Sequence, residues 1–172
     1  MCIRDRLYAE DQFEVLAFAR GVRQAPLHGN ELISRLEETF DLVEVSDVLP
    51  RPSAPRSFGT RIAGRSFLLT VPADLIDGDV HDRLDVSVLQ RLILEPLLGI
   101  TDPRRDGRLD AVADVDDATH DPDQYDAWFL PYPTPVASVM AVADISGTMP
   151  PKSTYFLPKL PGGILLRMLD EA

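Results

Sequence analysis

The chain predicts an α+β fold, with a mixed or antiparallel sheet and about three to four helices. Three observations lead there. Extended apolar runs and helical periods follow one another irregularly, without the strict strand–helix alternation of a parallel α/β sheet. One stretch carries a hairpin signature, with a turn between two strand-like runs. A hydrophobic fraction of 45% over 172 residues supplies a core of one-domain size.

Taken in order, FEVLAFARGV, Phe13 to Val22, reads as one buried strand. Asn30 stands as the N-cap of a helix running to about Phe40, with Leu32, Ile33, Leu36 and Phe40 at helical spacing. Leu42–Val45 is a short strand. Pro50, Pro52 and Pro55 force an extended connector over 50–56, because proline lacks the amide hydrogen and restricts its predecessor. Ser57 to Val71 is the hairpin, with Ala63–Gly64–Arg65 at the turn. Asp85 then caps a helix whose Val88, Leu89, Leu92, Ile93 and Leu97 lie inward and which Gly99 ends; its mostly apolar circumference predicts burial on several sides. From Thr101 to Asp126 nine aspartates predict a short strand and then a solvated loop. Ala127–Tyr132 is a strand. Thr134 caps a helix with Pro135 at its first position and an inward stripe of Val136, Val139, Met140 and Ala143. Last, TYFLPK and GGILLRML form two paired strands around Leu160–Gly163. MCIRDR, residues 1–6, mixes charges with no structural period and looks like a translated library-adaptor start. Residues 7–172 are therefore read as one α+β domain, expected to be the C-terminal portion of a longer protein.

The charge balance narrows the partners. With 28 acidic against 17 basic residues the net charge is −11, and nucleic-acid binding draws most of its affinity from phosphate neutralisation by Lys and Arg. The densest basic cluster, Arg104–Arg105 with Arg108, is interleaved by Asp102, Asp106 and Asp110. DNA and anionic lipid are poor partners for such a chain. Cys2 is the single cysteine, so no internal disulfide forms. No apolar run reaches the roughly 20 residues of a membrane helix, and no signal-peptide pattern is present. A cytoplasmic location is the expectation.

Most motifs are absent. The aspartate run fails the calcium-loop spacing: counted from Asp114, positions five and six are Ala118 and Thr119. His28, His81 and His120 are scattered and make no zinc spacing, so no metal is assigned. His81 with Asp82 or Asp85 is a weak acid–base candidate. No nucleotide-binding glycine fingerprint or nucleophile elbow occurs. What stands out is MPPKSTYFLPK, Met149 to Lys159. Its two lysines are the only ones in the chain, and the other fifteen basic residues are arginines. Lys152, Ser153 and Thr154 offer an ammonium and two hydroxyls in a row, with Lys159 close behind. Such groups suit a phosphate or carboxylate.

RLDVSVLQRLILEPLLGITDPRRDGRLDAV, TPVASVMAVAD and MPPKSTYFLPKLPGGILL occur in that order. They resemble the C-terminal half of the family known as domain of unknown function 1015 (DUF 1015), across most of residues 12 to 169. That family is in turn distantly similar to the ParB and sulfiredoxin superfamily, which includes nucleotide-binding proteins and a free-serine kinase. The resemblance implies an intracellular enzyme that binds a small phosphorylated or nucleotide ligand, ATP or another nucleotide. Kinase-like, phosphotransferase chemistry would follow. Lys152, Ser153, Thr154, Lys159 and Arg20 would hold the anion. The family's Asp-Gly-His-His-Arg run, expected upstream of residue 7, would supply the catalytic groups from a missing N-terminal half. The chain departs from the pattern at Phe18–Ala19–Arg20, where relatives tend to carry Pro-x-His-Arg, and at Ala113–Asp114, where they carry a Gly-Gly turn. Two other roles compete: a ParB-like nucleic-acid-binding or partition protein, and a non-catalytic accessory or dimerisation domain.

Overall fold

The computed structural model describes residues 14–113 and 121–158. Among them it has the predicted α+β class: three α-helices and eight strands, every strand pair antiparallel, in two sheets. The strands are β1 (Glu14–Leu16), β2 (Ala19–Val22), β3 (Asp41–Val45), β4 (Ser57–Ile62), β5 (Arg65–Thr70), β6 (Leu109–Val112), β7 (Ala127–Pro131) and β8 (Tyr155–Leu157). The main sheet has the order β3-β5-β4-β7-β2-β6, and β1 pairs with β8 in a second, two-stranded sheet. Helices are α1 (Gly29–Glu37), α2 (Asp85–Leu89) and α3 (Val136–Asp144).

The hairpin forms as its sequence requires. Ala63 and Gly64 both take positive φ, +52° and +76°, the backbone of a two-residue turn that matches the twist of its strands. The central strand β7 is buried along its whole length and separates two cores by the period-2 alternation of a strand. Phe129 faces the larger core, with Phe58, Ile62 and Leu69 from the sheet, Leu32 and Leu36 from α1, and Val88 and Ile93 from the region of α2. Trp128 and Leu130 face the other side, where Leu49 covers them. The 50–56 connector crosses that second face. Gly59 has no room for a Cβ because the Pro50 carbonyl lies directly over it, which is why a glycine sits in mid-strand.

Several local expectations give way to long-range packing. Phe13–Val22 is not one strand: Glu14–Leu16 and Ala19–Val22 belong to different sheets, with Ala17 and Phe18 buried at the break. α1 starts one residue before Asn30 and ends at Glu37; its N-cap is His28, without a side-chain hydrogen bond. Asp85 does not cap α2 either. The cap position is Leu84, and the Asp85 carboxylate instead accepts the Arg56 backbone N–H at 3.0 and 3.1 Å. After Leu89 the helix widens into a π turn over Gln90–Leu94, and Gly99 ends the segment at φ +64°. Thr134 leaves the cap of α3 to Pro135 and donates its hydroxyl to the Ser153 carbonyl at 3.2 Å. The inward stripe of α3 is corrected as well: Val142 is its buried residue, and Met140 is exposed. β8 pairs with β1; its expected partner near 163–170 lies outside the described residues.

Candidate functional site

Arg20 projects from β2 on the face shared with Val22, where the two cross-strand neighbours are Ala111 and Phe129. Its side chain is buried, at 6% exposure. Nη2 donates to the carbonyls of Pro151 (3.2 Å) and Lys152 (2.8 Å). Nη1 is also buried and has no partner. Among the described residues no carboxylate pairs with this guanidinium. Burial pushes its pKa down to about 10, which leaves it charged at neutral pH. A buried, unpaired cation is costly unless an anion meets it.

Two cavities meet at this residue. The larger, about 570 Å³, lies between the α2–π segment, the 102–105 loop and the 148–151 segment. The smaller, about 320 Å³, lies on the β6 side and reaches Lys152. They share Arg20, Pro103, Arg104 and Pro151. Around the larger cavity stand Arg20, Arg91, Arg104 and Arg105 against two aspartates, Asp82 and Asp102; the smaller adds Lys152 and no acid. In a chain of net charge −11 this is a local inversion of sign, and a concave, partly desolvated surface focuses its field. Ser87 and Gln90 border the larger cavity too, and the Ser87 hydroxyl and the Gln90 amide oxygen are both buried without a partner. Three of the four buried side-chain atoms without partners among the described residues therefore belong to residues that border one cleft; the fourth is Arg61 Nε. Folded proteins leave few such groups open, which makes this cleft the candidate site.

Of the residues singled out in the sequence, Arg20 and Lys152 come together. Lys152 takes a left-handed backbone (φ +55°), turns its carbonyl to Arg20 and lays its ammonium 5.2 Å from the centroid of the Phe18 ring. Ser153 is buried and Thr154 half-buried, and neither lines these two cavities. Lys159 lies outside the described residues, as does His120. His81 and Asp82 border the larger cavity. Asp85 borders another hollow with Thr134 and Ser138, where burial raises its pKa to about 6.

Sequence reasoning missed Ser87, Gln90, Arg104 and Arg105. For the first two a signal existed: they are polar positions on a helix otherwise apolar around most of its circumference. The arginine pair was visible but obscured by its aspartates; in the structure Arg105 approaches Asp102 at 3.6 Å, while Arg104 borders both cavities and Lys152 the smaller one. Among the described residues no group of three or more His, Cys, Asp or Glu is placed to hold a metal ion, and no helix is long and apolar enough to cross a membrane.

No protein-family model matches the chain, and no curated protein matches it. Solved structures do. A conserved hypothetical protein from Pyrococcus furiosus superposes with a TM-score of 0.51 at 16% identity, covering 88% of this chain and 60% of that one. A mutant free serine kinase in complex with AMP gives a TM-score of 0.48 at 17% identity, covering 86% of this chain. A second mutant, in complex with ADP, gives 0.48 at 18%. The chain spans 55% of the length of these kinases. The likeness to the Pyrococcus protein is one of fold.

Proposed function

We propose that the chain is part of an intracellular, cytoplasmic enzyme that binds a small phosphorylated or nucleotide ligand, with kinase-like chemistry of the kind the DUF 1015 resemblance implies. The observation that carries this reading is Arg20 Nη1: a buried guanidinium donor with no partner, on a side chain that borders a cleft ringed by further cations. A phosphate or carboxylate oxygen satisfies that donor and neutralises the charge in one contact. Arg104 and Lys152 reach the same ligand from the smaller cavity, and ATP or another nucleotide is the cofactor class that fits such an anion site. Nucleic acid is the weaker alternative, since the cations line a recess and the chain as a whole is acidic.

Thermal melting of the chain with ATP, ADP, CTP and phosphoserine tests the reading. A ligand at about 100 times its Kd adds about 2.7 kcal/mol, which raises the midpoint by several degrees for a domain of this size. No shift with any of the four sinks the proposal.

A further inference from the structure

We infer that Gln90 is a specificity-determining residue of this cleft: its amide oxygen accepts a hydrogen bond from an N–H group that the ligand carries beside its anion. The inference rests on the anion-site reading and narrows it to ligands with a nitrogen donor. The amide orientation is decided by chemistry. Gln90 Nε2 donates to the Ile100 carbonyl at 2.6 Å; a carbonyl only accepts, so the amide nitrogen must face it and the oxygen must face the other way. That oxygen is buried and has no donor. It is a locked acceptor, unable to turn into a donor without breaking the Ile100 bond.

The surroundings favour the same partner. The Ser87 hydroxyl, three residues earlier and therefore on the same helical face, is open as well and can donate or accept. Asp82 and Asp102 border the cavity and add negative potential that attracts a donor group. Arg91 is the nearest cation in sequence, but it is held by Asp77 at 2.9 Å and by the Leu75 carbonyl at 3.4 Å. The π turn begins at Gln90 itself, with its backbone carbonyl taking the Glu95 N–H at 3.0 Å. Such turns recur at functional sites, where an extra residue re-aims the side chains around it. Arg20, the proposed anion partner, and Gln90, the proposed acceptor, border the same space of about 570 Å³.

Two probes that differ only in the group at issue test this: 2-acetamidoethyl phosphate and its ester isostere, 2-acetoxyethyl phosphate. Both carry the same phosphate charge, and only the amide has an N–H. Calorimetric titration of the native chain is expected to show the amide bound roughly tenfold tighter, the value of one hydrogen bond to an otherwise unsatisfied acceptor. Gln90→Met is expected to bring the two affinities together, and Arg20→Met to weaken both alike. Equal binding of amide and ester to the native chain overturns the Gln90 assignment and leaves the anion site standing. Binding of neither overturns both. The native ratio alone decides the matter if the Gln90 variant fails to fold.

Discussion

Two arginines on neighbouring parts of the fold are treated in opposite ways. Arg108 is closed: Nε and Nη2 reach the Asp106 carboxylate at 3.0 and 2.6 Å, while Nη1 and Nη2 donate to the carbonyls of Leu98 and Gly99 at 3.1 Å each. Those hydrogen bonds hold the Asp106 carboxyl below its ordinary pKa and tie the 102–108 loop to the end of the α2–π segment. Arg20 is more deeply buried yet meets two carbonyls and, among the described residues, no acid. Arg108 uses all three of its nitrogens within the protein. Arg20 keeps a buried nitrogen in reserve, and Asp85 offers a comparison of opposite sign: a buried carboxylate that accepts its hydrogen bonds from one backbone N–H, that of Arg56.

The contrast can be broken most forcefully at Asp85. Its carboxyl titrates near 6, above the ordinary 3.8, chiefly because burial disfavours the anion. The folded state therefore holds this proton more tightly than the unfolded state. The group's contribution to stability is complete below about pH 4 and is lost as pH rises through 6. A shift of about two units corresponds to something on the order of 3 kcal/mol. Asp85→Asn should remove that slope, so that denaturant unfolding shows the variant gaining on the native chain between pH 4 and pH 8. A constant difference across that range would mean the carboxylate is not desolvated.

Next comes Arg20→Met. With the buried charge replaced by an apolar chain of similar length, binding of whichever phosphate ligand shifts the melt should weaken about 10- to 100-fold. The unliganded protein should stay folded, since an apolar replacement of an unpaired buried charge is tolerated. A variant that binds normally would place the anion elsewhere. Smallest is Arg108→Met, expected to lower the melting midpoint while leaving affinity unchanged. If affinity falls with it, the closed arginine belongs to the site too, and the distinction drawn between the pair collapses.

Much of the architecture was legible because it is local. The β4–β5 hairpin is written in a turn of two residues, α1 in the spacing of Leu32, Ile33 and Leu36, and the end of the α2 region in Gly99. What was not legible depends on partners distant in the chain. Nothing within FEVLAFARGV says that Leu16 pairs with Tyr155 while Ala19 pairs with Val112. Thr134 and Asp85 carry the side chains of caps, but Ser153 and Arg56, brought close by tertiary packing, take their hydrogen bonds instead. The site divided along the same line. Lys152 stood out through its rarity, and Arg20 came only with the family resemblance. Ser87 and Gln90 became meaningful once their lack of partners could be seen, and that is a property of the packed state.

The crossing of Pro50 over Gly59 reaches further than the strand beneath it. The same short strap runs on to Arg56, whose amide grips Asp85 at the threshold of the segment bearing Ser87 and Gln90. A methyl group at position 59 would lift the strap from one side of the sheet and pull at its anchor on the other. A tolerance test at that glycine would thus register in the cleft bordered by Ser87 and Gln90, through a tether whose own residues lie outside its lining.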